Sequence, residues 1–400
     1  MKVVADFHLH SKYSRATSKD ITIPNMIKYC GVKGIGLVGT GDFTHPKWFN
    51  EIKEHLVEDG SGFLKPAEGP IRFVLSGEIS LMYSQGGHGR RVHFVLLAPS
   101  LAVAEQMTEW LKKRGRVDYD GRPIFGFSAP EFTEAMMGIS KDIMLIPAHA
   151  WTPWFGILGE KSGFNSVEEC FCDQTKNIHA LETGLSSDPA MNWRVSSLDK
   201  FALVSNSDSH SLHPWRLGRE ANVFSFDDLT YRNFTQAIIK KDPKHFLYTI
   251  EVDPSYGKYH YDGHRACNVR FSPEQSKKHN NICPVCGKPL IIGVLHRVEE
   301  LADRPEGFVP KGAIPFRTVL PLSELLAAVY DTTAATKKVM VESEKLIKEF
   351  GTELNVILDA PEDRLRPLVH EKVLKALVAN RAGKIKIEPG YDGLYGTPVI

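Results

Sequence analysis

Nine histidine and carboxylate residues stand at or near the ends of short apolar runs, where together they could hold metal ions. His8 and His10 close the first run, Asp42 follows the second, Glu78 ends the third and His93 lies within the fourth. His149 and Glu182 end the fifth and sixth, and Asp208 and His210 follow the seventh. A spacing of two, as in His8/His10 and Asp208/His210, puts both side chains on one side of an extended strand. Singly, each has an ordinary explanation: H-x-H is a frequent accident, a strand-end carboxylate is usually a cap or a solvated loop residue, and His93 suits a core. Their recurrence is harder to explain that way, because gathering buried carboxylates is costly unless cations hold them.

Imidazole and carboxylate donors without thiolate fit zinc, manganese or iron better than calcium. Nine donors exceed what one ion needs, so two or three divalent ions are expected, with zinc, manganese and magnesium as the candidates. Closely spaced ions can clamp an in-line phosphoryl displacement, one lowering the pKa of the attacking water and another stabilising the leaving oxygen. Asp208, Glu78 and His149 are the candidate catalytic residues, with Asp208 positioning a metal near the attacking water. Asp6 and Asp20 could orient the ligand imidazoles. Asp20 is alternatively a ligand itself, and His45 could replace or join Asp42.

The elements that must position these residues alternate apolar runs with helical patterns over the first ~250 residues, as in β-α units. Strands are expected at Lys2–His8, Ile35–Gly39, Ile71–Glu78, Arg91–Leu97, Ile143–Ala148, His179–Glu182 and Phe201–Ser205, with further runs near Ala221–Phe226 and Phe246–Val252. Thr22, Ser100 and Ser128 are expected helix caps. So many strands suit a largely parallel β/α barrel, whose strand ends converge on one active rim. With 42% apolar and 24% charged residues in 400, a sizeable core is available and disorder is not indicated. No run approaches the ~18 apolar residues of a membrane helix, and the charged start does not suit a signal peptide, so a soluble cytoplasmic protein without a membrane partner is expected. A net charge of +1 announces no nucleic-acid partner by itself.

A Pro-, Gly- and Tyr-rich break at 253–263 ends the first part. Cys283-Pro-Val-Cys286-Gly is a zinc knuckle in pattern, and His264-Arg-Ala-Cys267 supplies a second pair at a suitable distance, giving one closed structural zinc site. His260 and His279 compete for the fourth position. Cys30, Cys170 and Cys172 read as core or loop thiols. Prolines at 305, 310, 315 and 321 suit a linker or extended arm. Helical patterns follow at 322–351 and 366–382, with a strand-like LNVILDA between. The division expected is 1–252, 258–303 and 304–400.

The motifs DFHLHS at 6–11, GTGDFTH at 39–45, GEIS at 77–80, PAHA at 147–150 and SDSHS at 207–211 resemble the polymerase-and-histidinol-phosphatase (PHP) superfamily in order and spacing. That resemblance implies a distorted seven-stranded β/α barrel with up to three metal ions, here followed by the zinc module and a mainly helical C-terminal region. The superfamily's second motif has Asp-His adjacent, whereas two residues separate Asp42 from His45. With GVLHRVEELADRP at 293–305 and PGYDGLYG at 389–396, the whole chain resembles the endonuclease Q family of DNA-repair enzymes. This implies cutting double-stranded DNA on the 5′ side of hypoxanthine, uracil, xanthine or an abasic site, leaving 3′-hydroxyl and 5′-phosphate ends. It also implies association with the replication sliding clamp, although no clamp-binding motif stands out before Ile400. A small-molecule phosphoesterase would leave the C-terminal residues unexplained, and a non-enzymatic DNA-binding adaptor would have no need of the intact ligand set.

Damaged-base recognition calls for stacking surfaces and phosphate contacts. Trp151, Trp154 and Phe155 follow His149 directly and are candidates to stack on an extruded base or fill its gap, against the plainer reading of a cover over the barrel mouth. Arg90 and Arg91, in the GGHGRR loop at 86–91, are candidates for phosphate. Tyr391 and Tyr395, in the glycine-rich tail, either help form the base pocket or serve as a C-terminal clasp.

Overall fold

The computed structural model describes residues 1–400. In its first part β1 (Lys2–Asp6), α1 (Ile23–Lys33), β2 (Leu37–Gly39) and α2 (Pro46–His55) precede a long pair of strands, β3 (Arg72–Gln85) and β4 (His88–Ala98). Then come α3 (Leu101–Lys112), α4 (Ala129–Ile139), β5 (Met144–Pro147), β6 (Ala180–Glu182) and β7 (Ala202–Val204). The expected caps are in place: Thr22, Ser100 and Ser128 each accept the backbone N–H three residues on. Helix α1 buries Ile23, Met26, Cys30 and Lys33, the three- and four-residue spacing of one helical face.

Strand pairing is mixed. β1–β2, β2–β3 and β6–β7 are parallel, whereas β3–β4 and β4–β5 are antiparallel. The departure from β-α alternation has a local cause. Gly86 and Gly87, with φ of 62° and 77°, form a two-residue turn that joins β3 directly to β4. Beyond the ends of β5 and β6, Ala150 N donates to Glu182 O at 2.9 Å, and beyond β7 and β1, His10 N donates to Ser209 O at 3.0 Å. Val3, Leu37, Val74, Val95, Ile146, Ala180 and Ala202, one from each of these seven strands, meet in an interior cluster of 22 buried residues. A second cluster of 51 buried residues lies largely between the strands and their helices.

β8 (Ala221–Ser225) runs antiparallel to β1, and α5 (Tyr231–Ile239) connects it to its antiparallel neighbour β9 (Phe246–Glu251). The cysteine segment contains β10 (Asp262–His264), β11 (Val269–Phe271), α6 (Pro273–Lys278) and α7 (Val294–Leu301). The proline-rich arm that follows is extended and supplies β12 (Phe316–Thr318), parallel to β9. Helices α8 (Leu322–Val329), α9 (Lys337–Phe350), α10 (Glu353–Leu358) and α11 (Glu371–Arg381) share a core of 24 residues with Ala221, Val223 and Ile250 of β8–β9 and with Val252 just beyond. β13 (Lys386–Glu388) and β14 (Thr397–Val399) form a small antiparallel ribbon around the tail. No helix is long and apolar enough to cross a membrane. The expected strand at LNVILDA is instead α10, capped by Thr352 and buried at Leu354, Val356, Ile357 and Leu358. A short helix buried at all but Asn355 carries the same apolar run as a buried strand.

Lys33 joins the first part to the last. Its buried Nζ donates to Glu353 Oε1 and to Pro214 O, both at 2.7 Å. Removing one partner of a buried pair strands the other, at about 3–5 kcal/mol. Lys33→Met is expected to cost about that much in urea unfolding, and Glu353→Leu added to it should recover most of the loss. A single-variant change near zero would mean the pair contributes nothing.

Candidate metal centre and the cavity beside it

Two groups of donor atoms share one carboxylate. His8, His10, Glu78 and Asp208 form the first and Glu78, His93 and His149 the second, each with its ligand atoms within 4.8 Å of one another. His10 Nε2 lies 3.2 Å from both Glu78 Oε2 and Asp208 Oδ1, and His8 Nε2 3.7 Å from both. On the other side, Glu78 Oε1 is 2.7 Å from His93 Nδ1 and 3.3 Å from His149 Nε2. His8 Nε2, His10 Nε2, Glu78 Oε1, His93 Nδ1 and Asp208 Oδ1 are buried with no hydrogen-bond partner. Buried polar atoms are normally paired. Divalent cations satisfy converging imidazole and carboxylate donors together, so these residues fit such ions.

Three of the nine predicted ligands stand outside these groups. Both Asp42 and Glu182 sit behind an imidazole. Glu182 holds His8 Nδ1 at 2.9 Å, and also accepts from His149 N and Asn206 Nδ2 at 2.8 Å. Asp42 holds His10 Nδ1 at 3.1 Å and accepts from Ser11 N at 2.6 Å and Ser14 Oγ at 2.8 Å. Engaging Nδ1 in this way fixes the tautomer and turns Nε2 towards the centre. His210 packs beside His10 with ring centroids 4.5 Å apart, its Nδ1 3.0 Å from Asp208 O. His45 stacks on Tyr13 instead, and Asp20 is exposed beside Ser18.

Asp6 orients backbone, not an imidazole: it accepts from Ser207 N at 3.1 Å and Gly218 N at 2.9 Å, fixing the segment that presents Asp208. Asp42, His149 and Asp208 all have positive φ, at 42°, 31° and 46°. For non-glycine residues this costs free energy, and such strain gathers at functional sites.

Burial opposes ionisation of Glu78, yet His93, Arg122 and His8 hold its carboxyl well below the usual range. Asp208 is likewise held low against burial, by the imidazoles of His10 and His210 beside it. Burial pushes His93 down to about 4, against the pull of Glu78. Burial also disfavours charge on His8 and His10, but Glu182 and Glu78 raise the first and Asp42 and Asp208 the second, so cation binding there must displace protons. Arg122, which carries no sequence signal, donates to Glu78 Oε2 at 3.0 Å.

A cavity of about 710 Å³ opens beside this centre. His149, Asp208 and His210 line one side, and Arg216, Arg219, Lys258, Tyr259 and Tyr395 line another. Tyr395 thus reaches the cavity, while Tyr391 is buried with its hydroxyl donating to Asn268 Oδ1 at 2.9 Å. Trp154 meets Tyr259 edge-on at 5.6 Å and Phe155 packs on His93 at 4.4 Å. Trp151 is a core residue whose Nε1 donates to Asn192. Arg90 lies 4.0 Å over Phe164 and donates to Gly163 O, which leaves little of it for a phosphate, whereas Arg91 is exposed.

The second predicted metal group also converges: donor atoms of His264, Cys267, Cys283 and Cys286 lie within 4.8 Å of one another. His260 and His279 are not in it. His260 is buried, and burial pushes it down to about 4, while His279 stacks on Phe271. Cys30 and Cys170 are buried thiols and Cys172 is exposed.

Residues 321–384 match the family described as MJ0043 C-terminal domain. Over 252 residues the chain is 37% identical to the uncharacterized protein MJ0043 of Methanocaldococcus jannaschii, an alignment that covers 62% of this chain but 31% of that longer protein. Its fold matches the lesion-specific endonuclease PfuEndoQ of Pyrococcus furiosus with a TM-score of 0.89 and 32% identity, covering 100% of this chain and 96% of that one. It matches endonuclease Q, in complex with a 27-mer duplex substrate bearing an abasic lesion at the active site, with a TM-score of 0.90 and 32% identity, covering 100% and 97%. Agreement in sequence and fold along both chains, added to the donor cluster, leads to one conclusion: this chain belongs to the endonuclease Q family.

Proposed function

We propose that this chain hydrolyses the phosphodiester on the 5′ side of a damaged nucleotide in double-stranded DNA. The damage is a deaminated base (hypoxanthine, uracil or xanthine) or an abasic site, and the products carry 3′-hydroxyl and 5′-phosphate ends. The observation that carries the proposal is the cavity of about 710 Å³, which joins His149 and Asp208 of the donor cluster to a cationic and aromatic wall. Inside a duplex a base is out of reach, so the nucleotide must turn out of the stack into such a cavity. Stacking on a tyrosine contributes about 1–3 kcal/mol per base. The abasic duplex bound by the related endonuclease Q supports a lesion-bearing DNA partner.

His8, His10, Glu78 and Asp208 would hold one divalent ion, and Glu78, His93 and His149 another. When bound, such ions supply Lewis acidity for in-line phosphoryl displacement. Asp42 and Glu182 keep the imidazoles of His10 and His8 aimed at the centre. Thr152, 2.9 Å from His149 Nδ1, does the same for His149. Arg122, part-buried beside Glu78, can exchange that carboxylate for a phosphate oxygen.

The same reading takes 1–252 as a distorted seven-stranded barrel of PHP type, supported by the interior cluster and the backbone bonds that link successive strands. It takes 258–303 as a module around one structural zinc, held by His264, Cys267, Cys283 and Cys286, and 304–400 as the helical region with its tail. A sliding-clamp contact rests on the family resemblance alone. The test is cleavage of end-labelled duplexes bearing hypoxanthine, uracil, an abasic site or no lesion, with magnesium, manganese or chelator. A metal-dependent cut 5′ to the lesion is expected. Turnover of a phosphate monoester with every duplex intact would replace the proposal with a small-molecule phosphoesterase.

A further inference from the structure

We infer that Arg297, on α7, is a positioning residue for one half of the metal centre, because it fastens the loop that seats both His93 and His149. The inference rests on the reading that Glu78, His93 and His149 hold one divalent ion. Both imidazoles depend on the segment that runs from His149 to Asn165. His149 opens it, with Nδ1 2.9 Å from Thr152 Oγ1. Further along, Phe155 O accepts from His93 N at 2.9 Å, and the Phe155 ring packs on the His93 imidazole with centroids 4.4 Å apart. Phe155 has a φ of 71°, a costly conformation for a bulky residue that persists only where its surroundings impose it. Ser162 supplies part of that constraint: its Oγ accepts from Phe155 N at 3.3 Å and donates to Arg91 O at 3.2 Å.

Arg297 supplies the rest from outside the segment. Its Nε donates to Leu158 O at 3.1 Å, and its Nη2 donates to Phe164 O at 3.2 Å and to Asn165 Oδ1 at 2.7 Å. The remaining nitrogen, Nη1, donates to Glu300 Oε2 at 3.0 Å, which fixes the plane of the guanidinium. Only a planar fork reaches so many acceptors at set angles, so neither lysine nor glutamine can replace it. α7 is a firm base for this grip, since Val294 and Val298 are fully buried in one core cluster with Ile157, Leu158 and Phe164. The segment is also too tightly wound to absorb a shift locally: a side chain at Gly156 or Gly159 would collide with the backbone of Thr152. Released at Leu158 and Phe164, it passes the shift on to Phe155 and Thr152, and so to both imidazoles. His8 and His10 are aimed by Glu182 and Asp42 instead, and the segment bearing Asp208 is fixed by Asp6.

The test is a manganese titration of the unchanged chain, of Arg297→Gln and of His149→Ala, followed by calorimetry and by cleavage of an abasic duplex. The binding step that His149→Ala abolishes identifies the His93–His149 half. In Arg297→Gln that step is expected to need about tenfold to a hundredfold more manganese, as when other groups that orient a ligand are lost, while the second step stays in place. Cleavage should follow the weakened step and recover at saturating metal. Equal weakening of both steps overturns the inference. So does a lowered melting temperature with both steps unmoved, the mark of a purely structural residue. The Arg297 side chain is largely buried; if its replacement unfolds the chain, Asn165→Ala, at an exposed position, removes one bond to the guanidinium and must move the same step in the same direction. An unchanged chain that binds no manganese, or binds it and cuts no duplex, rejects the proposed function itself. One that binds in both steps and cuts, with both steps unmoved in the Arg297 and Asn165 variants, rejects this inference alone.

Discussion

Glu78→Gln is expected to lower cleavage of a lesion-bearing duplex by about a thousandfold or more and to release divalent ion from the centre. Glu78 is fully buried, with one carboxylate oxygen facing His8, His10 and Asp208 and the other facing His93 and His149. An amide cannot serve both groups, and losing about 4 kcal/mol of charge stabilisation in the transition state corresponds to that factor. Glu182→Gln and Asp42→Asn make the informative contrast. Each loosens the imidazole it holds, which typically costs about 10–100-fold in metal affinity, so added metal should largely restore their activity. Cleavage measured across a metal titration, with bound ion measured by mass spectrometry, separates the two classes. A Glu182→Gln enzyme as inactive as Glu78→Gln at saturating metal would make Glu182 a ligand and overturn its assignment behind His8.

That contrast also marks where sequence reading stops. Asp42 and Glu182 have the same residue types and strand-end positions as true donors, and only the fold decides which carboxylate points at the centre and which at the back of an imidazole. The strand ends themselves were legible because apolar runs and caps such as Thr22 and Ser100 act locally. So was the convergence of His264, Cys267, Cys283 and Cys286, which are close in sequence. Arg122, Arg216 and Arg219 were not, because an arginine in a loop looks the same whether it faces solvent or, as Arg122 does, a carboxylate 44 residues away. The antiparallel β3–β4 hairpin had its signal in Gly86-Gly87, a dipeptide that suits a two-residue turn as readily as a phosphate loop. At 354–360, burial of Leu354 and of Val356, Ile357 and Leu358 in succession erased the periodicity that separates helix from strand.

With the proposed zinc held by Cys283 and its three neighbours, Cys283→Ser is expected to release the ion and, with it, the tail. Cys283 is fully buried, so its loss removes a ligand from the interior of the module. Zinc in comparable small sites contributes on the order of 10 kcal/mol to folding. The tail is fastened to this module and to the connector before it. Tyr261 N donates to Gly390 O at 3.0 Å, Arg265 N to Asp392 Oδ2 at 2.6 Å, and Tyr391 bonds Asn268. Gly263, next to His264, leaves the space that the Tyr391 ring occupies, and any side chain there would collide with it. When β10 loosens, Tyr391 loses its seat, and Tyr395, four residues on, leaves the cavity wall. Amide exchange at Gly390, Gly393 and Gly396 should therefore quicken by at least about tenfold, with cleavage of lesion duplexes falling while the barrel keeps its own ions. The amides of Gly393 and Gly396 also bond Lys258 O and Tyr256 O, each at 3.0 Å. Zinc loss with unchanged exchange at these glycines would mean that the connector alone holds the tail. The module would then stabilise itself without shaping the site.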